Sequence, residues 1–158
     1  MEDDERKEYL TKEKYNELTN ELNFLRTTKR TENARQLEYA KTLGDLAENA
    51  EYHEARELQA LTEDRIRKIE YILKNAEIVS HKKGEAIEIG SSVVVQKERE
   101  KDKREFLIVG SEEADSGRGW ISHNSPMGSA LMGKKKGEEF VFRVPNGAKI
   151  KYKILKVS

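Results

Sequence analysis

One long stretch of the chain has the composition of continuous helix apart from a single break. Between residues 11 and 80 there is no proline, and the only glycine is Gly44. Strong helix formers, mainly Glu, Lys, Leu, Ala, Arg and Gln, dominate on both sides of that glycine. Because glycine readily adopts the left-handed conformation that ends helices, the pattern predicts two helices of similar length joined at Gly44. We place them at residues 11–43 and 46–77, with Thr11 as the first N-cap.

Apolar residues recur in both predicted helices at spacings of three and four. They are Tyr15, Leu18, Leu22, Leu25, Leu37, Ala40 and Leu43 before the glycine, and Leu58, Leu61, Ile69, Ile72 and Ala76 after it. The stripe is narrow and flanked by charged residues, which is typical of a two-helix coiled coil. We therefore expect an antiparallel helical hairpin with its tip at residues 44–48.

The middle of the first helix, residues 27–33, contains no apolar side chain. A coiled coil has little to bury at such a point, so we expect polar contacts between the two helices instead. The candidate ion pairs join Lys29 or Arg30 to Glu63 or Asp64. Exposed pairs of this kind contribute little to stability.

The second half of the chain has the pattern of a small β-rich domain. Short runs of β-branched and aromatic residues are typical of strands, and here they are residues 92–96, 106–109, 120–121, 140–144 and 150–157. Asn146-Gly147 indicates a tight hairpin turn between the last two runs. Ser125-Pro126 indicates a short capped helix that ends at Gly133. The charged segment 97–104 is predicted to be a loop or a hairpin arm.

Together these patterns predict an α+β protein of two domains. An N-terminal coiled-coil domain occupies residues 1–80, a C-terminal β-rich domain occupies 81–158, and the linker is at 82–85. The first half carries 19 acidic and 14 basic residues, a net of −5, and the second 11 and 16, a net of +5. This polarity fits two units with different partners, or two ordinary solvated surfaces. Neither half is basic enough to indicate a nucleic-acid binder.

The composition excludes several classes of protein. The 158 residues include no cysteine, which excludes disulfides, thiolate nucleophiles and cysteine-based zinc sites. No apolar run approaches the roughly 20 residues that span a bilayer. The acidic start lacks the apolar segment of a secretion signal. We therefore expect a cytoplasmic protein without a membrane partner.

The sequence offers no self-contained active site, so we do not expect an enzyme. His53, His81 and His123 lack metal-ligand spacing, and there is no nucleotide-binding glycine loop or catalytic triad. The exception is the predicted hairpin tip. There Asp45 and Glu48 are three residues apart at the predicted start of a helix, where their carboxylates would share one face.

Two interpretations of Asp45 and Glu48 remain open from this spacing. Mg²⁺ is typically held by one or two carboxylates, with waters and phosphate oxygens completing its shell. The two acids would bind it only where another site supplies further ligands. Alternatively, Asp45 is the helix N-cap and Glu48 reaches back to it, an arrangement that the helix dipole also favours.

The tip lies within a longer run that resembles a family signature. Residues 44–57, GDLAENAEYHEARE, are similar to the tip of the bacterial GreA/GreB transcript cleavage factors. Further matching residues lie before and after the tip, in the order that the family has them, along nearly the whole chain. They are Tyr9-Leu10-Thr11, Leu18, Glu21-Leu22, Leu25, Ile66, Ile69, Asn75-Ala76, Ile108-Val109-Gly110, Glu113-Ala114-Asp115, and residues 121–126 and 130–134.

The resemblance implies a fold, a partner and a reaction. Family members combine an antiparallel coiled coil with a C-terminal domain of FKBP-like fold that lacks isomerase activity. The globular domain docks at the secondary channel of bacterial RNA polymerase, and the coiled coil enters the channel. When the polymerase has backtracked, the tip acids stimulate its own hydrolysis of the nascent RNA near the 3′ end. This implies a cofactor of the polymerase rather than an enzyme, and we expect a monomer when free.

The resemblance also implies roles for individual residues. Asp45 and Glu48 would act in the polymerase active centre, where they help hold a second Mg²⁺ and orient the attacking water. No cofactor would be stably bound by the chain alone. The candidates for contact with RNA are Lys41, Asn49, Tyr52 and Arg56. For Tyr52 the alternative is hairpin packing, and for Lys41 and Arg56 it is a solvated face.

The remaining matches concern docking and one departure from the family pattern. Asn124, Ser125 and Pro126 match the polymerase-docking loop, or simply cap the short helix. Many relatives carry Arg-Pro-Glu-Ile in the first helix, where this chain has residues 30–33 as Arg-Thr-Glu-Asn. That difference leaves the local packing open.

Three functions remain as hypotheses. The first is a cofactor that stimulates cleavage, and the second is a non-catalytic regulator that blocks or remodels the channel. The third is a coiled-coil adaptor for an unrelated partner. Inhibitory relatives tend to carry more acids at the tip, whereas here only Asp45 and Glu48 flank Leu46-Ala47. This favours cleavage.

Overall fold

A computed structural model describes residues 6–81 and 84–158. The described chain divides into two compact units, residues 13–76 and residues 6–12 together with 77–158. Residues 6–12 therefore belong with the second unit, which the expected boundary at residue 80 did not anticipate. The acidic start Met1–Glu5 and the linker residues Lys82 and Lys83 lie outside the described residues.

The first unit is built from two antiparallel helical arms. The first arm comprises Lys12–Phe24 (α1), a π-helical turn at Leu25–Lys29, and Arg30–Lys41 (α2). The second arm is a single helix, Ala50–Lys74 (α3). The predicted hairpin is confirmed, because side chains of the two arms pair in opposite order along the chain.

No helix in the described ranges is long and apolar enough to cross a membrane.

The predicted helix bounds, 11–43 and 46–77, are too generous at three of the four ends. The first arm stops at Lys41, and α3 begins only at Ala50. At the far end, Ala76–Ile78 is a short strand (β2) instead of helix, since it pairs with Glu8–Leu10 (β1). These strands have too little periodicity of their own to be recognised from the sequence.

Burial along the hairpin follows the predicted stripe in part. The buried apolar residues of the two arms are Leu18, Leu22, Ala40, Ala55, Ile66, Ile69 and Ile72. Leu43 and Leu61 fit the spacing but are 48% and 59% exposed, so their assignment to the stripe is wrong. Between the apolar layers lie two polar side chains, Asn33 and Thr62, which are both buried.

Ion pairs flank this polar centre. Arg30 donates two hydrogen bonds to the carboxylate of Glu63, at 2.7 and 2.8 Å, which confirms one of the predicted pairs. The hydrogen bonds from Arg30 lower the pKa of Glu63. Lys29 instead pairs with Glu32 on its own arm, at 3.5 Å.

The second unit contains a five-stranded sheet. Its strands are Ser92–Lys97 (β3), Lys103–Val109 (β4), Trp120–Ser122 (β5), Glu139–Arg143 (β6) and Lys149–Val157 (β7). They lie in the order β5-β4-β3-β7-β6, and every neighbouring pair is antiparallel except β4 with β5. All five runs that the sequence indicated are strands, and the predicted α+β class is confirmed.

Turns and a short helix complete the sheet as the sequence predicted. Gly147 has a φ of 85° in the β6–β7 turn, and the Asn146 side chain accepts a hydrogen bond from the Ala148 amide at 2.9 Å. The helix Pro126–Leu131 (α4) packs on the sheet and contributes Leu131 to the core. The charged segment is a loop only at residues 98–102, because β4 already begins at Lys103.

Candidate functional site

The hairpin tip is a loop of residues 42–49 between α2 and α3. Gly44 has a φ of 140°, a conformation that other residues rarely adopt. The helix has already ended by then, with Thr42 as its C-cap. Gly44 therefore allows the chain to reverse within the loop, and the prediction that it terminates the first helix is wrong.

Asp45 and Glu48 both lie in this loop, before α3 begins, and both are exposed. One carboxylate oxygen of Asp45, Oδ1, accepts a hydrogen bond from the Ala47 amide at 3.1 Å. This is a local turn rather than a helix cap. The capping interpretation of Asp45 and Glu48 is therefore wrong, as is the expectation that they share a helix face.

Asn49 is the residue that caps α3. Its side-chain oxygen accepts a hydrogen bond from the Tyr52 amide at 3.0 Å, and its side-chain nitrogen donates to the Ala40 carbonyl at 2.5 Å. One side chain thus joins the end of α2 to the start of α3. Asparagine is among the strongest N-cap residues, which explains why the helix starts after residue 49.

Much of the carboxylate surface at the tip remains uncommitted. Within the described part of the chain, neither Glu48 nor the second oxygen of Asp45 has a hydrogen bond or ion pair. In the same residues, no group of three or more His, Cys, Asp or Glu side chains is arranged to hold a metal ion. The tip therefore presents two carboxylates to an external ligand, enough for part of a coordination shell.

The candidate RNA-contact residues surround this loop. Lys41 is the last residue of α2 and Arg56 lies on α3, and both side chains are exposed. Neither has an ion pair among the residues that the structure describes. Tyr52 is half-buried, and its ring meets that of His53 edge-on, with 5.7 Å between centroids. The side chain of Asn49 is occupied by its two hydrogen bonds, to the Tyr52 amide and the Ala40 carbonyl.

The candidate docking residues lie at the start of α4. Ser125 is the N-cap, since its Oγ accepts from the Gly128 amide at 3.0 Å. Asn124 and Pro126 are exposed beside it. The loop is closely packed, because a Cβ on Gly128 would lie only 1.9 Å from the Ser122 carbonyl oxygen. Helix capping is therefore observed for Ser125, and it leaves its two neighbours accessible.

One contact at the tip was missed from the sequence. His53 Nε2 lies 3.3 Å from the carbonyl oxygen of Ala47, inside the loop that carries the two acids. The spacing of the His residues, which we examined only for metal ligation, does not indicate this contact. The available signal is the position of His53 four residues after the cap Asn49, on the first turn of α3.

Two family models match the chain with this architecture. Residues 8–78 match the model described as "Transcription elongation factor, N-terminal", and residues 81–158 match "Transcription elongation factor, GreA/GreB, C-term". The hairpin and the β-rich unit are therefore the two domains of a transcription elongation factor.

Individual relatives agree over nearly the full length. The transcription elongation factor GreA of Clostridium acetobutylicum is 44% identical over 155 residues, which is 97% of this chain and 98% of that protein. GreA of Caldanaerobacter subterraneus is 44% identical over 150 residues, 94% and 95% of the two chains. The solved structure of GreA factor homolog 1 from Thermus thermophilus is 28% identical, covers 97% of this chain and 99% of that one, and has a TM-score of 0.45. The chain belongs to the GreA/GreB family of transcription elongation factors.

Proposed function

We propose that this chain binds bacterial RNA polymerase through the secondary channel and stimulates the polymerase's own cleavage of backtracked nascent RNA. Family membership supports the general role in elongation. The observation that carries the proposal is the exposed loop at the hairpin end, whose two acids have oxygens without partners in the described chain. Carboxylate oxygens without a partner in their own fold are available to a cation whose remaining ligands come from another site.

The donor set at the tip fits a shared Mg²⁺. Carboxylate oxygens are the ligands that this hard cation prefers, and one or two of them are typical of Mg²⁺ held together with phosphate. Asp45 and Glu48 would provide them, and the polymerase would provide the rest. When bound, the ion supplies activation of water and stabilisation of the charge that develops on the phosphate. The chain alone would hold no stable cofactor.

The two acids have distinguishable tasks in this proposal. The hydrogen bond from the Ala47 amide holds one oxygen of Asp45 against the loop, and the other oxygen has no hydrogen bond among the described residues. We therefore assign Asp45 to the ion. Glu48 lies farther along the same loop and shares in holding the ion or in orienting the attacking water.

Neighbouring residues would bring the RNA to the loop. Lys41 and Arg56 are exposed cations on the two helices that bear the tip, and cationic side chains of this kind hold phosphates without reading sequence. Tyr52 is half-buried against His53, which leaves part of its ring for a base. Asn49 would mainly shape the tip, through its hydrogen bonds to the Ala40 carbonyl and the Tyr52 amide.

The second unit would dock the factor on the polymerase. Asn124 and Pro126 are exposed at the start of α4, and the Ser125 cap holds their loop in place. The proposal further places the chain in the cytoplasm, because its partner is the polymerase. It also takes the free chain to be a monomer.

The test is cleavage of labelled RNA in a stalled, backtracked elongation complex with Mg²⁺. Asp45→Asn keeps an oxygen that can accept from the Ala47 amide but removes the charge. We expect this variant to bind polymerase normally and to lose stimulated cleavage. Glu51→Gln is the matched control, because it removes one exposed charge from the neighbouring first turn of α3.

Two results would contradict the proposal. Cleavage by Asp45→Asn at the wild-type rate would show that the acid does not hold the ion. If the wild-type chain bound polymerase and suppressed cleavage, the chain would be a non-catalytic regulator of the channel instead.

A further inference from the structure

We propose that His53 is a positioning residue, which holds the peptide between Ala47 and Glu48 in the orientation that stimulated cleavage requires. The inference rests on the proposed function, since it assigns a task to a residue that supports the same loop. His53 does not touch the substrate or the ion in this proposal. It acts through the backbone of the loop.

The contact is directed at the peptide that precedes Glu48. His53 Nε2 lies 3.3 Å from the carbonyl oxygen of Ala47. That carbonyl belongs to the peptide group that joins Ala47 to Glu48. The other side of the same residue is also held, since the Ala47 amide donates to Asp45 Oδ1 at 3.1 Å. Both backbone polar groups of Ala47, which lies between the two acids, are therefore hydrogen-bonded.

His53 is itself fixed to a regular element. It lies in the first turn of α3, where its amide donates to the Asn49 carbonyl at 3.1 Å. Asn49 in turn bonds Ala40 at the end of α2. The imidazole also meets the Tyr52 ring at 5.7 Å with an interplanar angle of 63°. Residues 42–48 of the loop are exposed, and this contact ties the loop backbone to α3.

The chemistry of the contact sets what a replacement must supply. A carbonyl oxygen accepts, so His53 must donate a proton from Nε2. The side-chain amide of glutamine can place a donor at a similar reach, whereas phenylalanine keeps an aromatic ring for Tyr52 but has no donor. Rotation of the peptide plane would move the Glu48 side chain, and displacements of about 1 Å can cost about 100-fold in rate.

The experiment measures stimulated RNA cleavage by the full chain in the backtracked complex, at several Mg²⁺ concentrations and with saturating factor. Binding to polymerase is followed in parallel by competition with labelled wild-type factor. We expect His53→Phe to cleave about 10-fold more slowly or to need more Mg²⁺, with unchanged polymerase binding. We expect His53→Gln to remain within about 2-fold of wild type, because it restores the donor.

The outcomes separate this inference from the proposed function. If wild type stimulates cleavage and both variants equal it, His53 has no positioning role and the inference alone is overturned. Equal losses in both variants would also overturn it, because the ring contact and not the donor would then be what matters. If wild type itself gives no stimulation, while the chain still binds polymerase, the proposed function fails and the inference falls with it.

Discussion

The side-chain nitrogen of Asn33 donates to the hydroxyl of Thr62 across the two arms of the hairpin, at 2.8 Å. Both residues are buried, and the Thr62 hydroxyl donates a hydrogen bond to the Leu58 carbonyl, also at 2.8 Å. The oxygen of the Asn33 amide is buried and has no hydrogen-bond partner among the described residues. The buried polar centre is therefore stabilised by a hydrogen bond between the arms and destabilised by an unpaired amide oxygen.

Replacement of Asn33 should therefore stabilise the hairpin. Asn33→Leu removes the unpaired oxygen and leaves the Thr62 hydroxyl bonded to Leu58, so we expect the free energy of unfolding to rise by about 1–2 kcal/mol. Thr62→Val is the contrasting variant. It strands the Asn33 nitrogen and should lower that free energy by about 1–3 kcal/mol. Urea unfolding followed by helical circular dichroism measures both, and a loss of stability in Asn33→Leu would contradict the account.

The base of the hairpin depends on apolar packing at Leu22. The side chain is 7% exposed, so truncation should leave a cavity between the arms. We expect Leu22→Ala to reduce the free energy of unfolding by about 2–5 kcal/mol. Phe24→Ala, on the same helix but 51% exposed, should change it by no more than about 0.5 kcal/mol. Equal thermal melts for the two variants would show that Leu22 is not buried in solution.

The Glu21–Arg65 pair should make stability depend on pH. Arg65 donates to both carboxylate oxygens of Glu21, at 2.6 and 2.8 Å, and these hydrogen bonds lower the pKa of Glu21 in the folded chain. A lowered pKa stabilises the fold at neutral pH, and this contribution is lost as the pH falls from the ordinary glutamate range through the lowered value. The pair is partly exposed, so we expect less than about 1 kcal/mol.

A double-mutant cycle isolates this contribution. Unfolding of Glu21→Gln, Arg65→Gln and the double variant should give a favourable coupling energy at pH 7 that vanishes in acid. A coupling energy that persisted at low pH would show that the two side chains interact in some way other than as an ion pair.

The packing of β1 in the second unit depends on the absence of a side chain at Gly110. A Cβ at this position would lie 1.8 Å from the Tyr9 carbonyl oxygen, so the strand would have to move. We expect Gly110→Ala to cost about 1–3 kcal/mol. It should also speed hydrogen exchange at the Val79 amide, which donates to the Leu10 carbonyl at 2.9 Å. Gly117→Ala is the control, since its nearest neighbour would be 3.3 Å away.

The candidate site shows what a sequence can and cannot predict. Asp45 and Glu48 were identified as candidates because two carboxylates beside a helix-breaking glycine can be recognised from the sequence alone. Their conformation was not, because Asp45 and Asn49 are both good N-cap residues and the choice between them is not local. The side chain of Asn49 bonds the Ala40 carbonyl on the other arm, and α3 starts directly after Asn49. Residue spacing along one helix cannot predict a hydrogen bond between the two arms.

The elements divide in the same way. The two helical arms and the five strands of the sheet were predicted, although several ends were misplaced by two to four residues. β1 and β2 were missed, because Glu8–Leu10 shows no alternation and Ala76–Ile78 continues the pattern of the preceding helix. The polar middle of the first arm was recognised from its composition. The actual partner of Asn33 was not, because it depends on how the two arms face each other.

By itself the sequence determined the two helical arms, the five strands and the acidic pair between the arms, because helix propensity, alternation and residue chemistry act over short distances. Only the tertiary structure decided where the tip loop ends, which side chains hold it, and how the buried polar centre is paired. Those outcomes depend on groups that lie on different arms, such as Asn49 with the Ala40 carbonyl and Asn33 with Thr62, whose hydrogen bonds form only when the arms have packed.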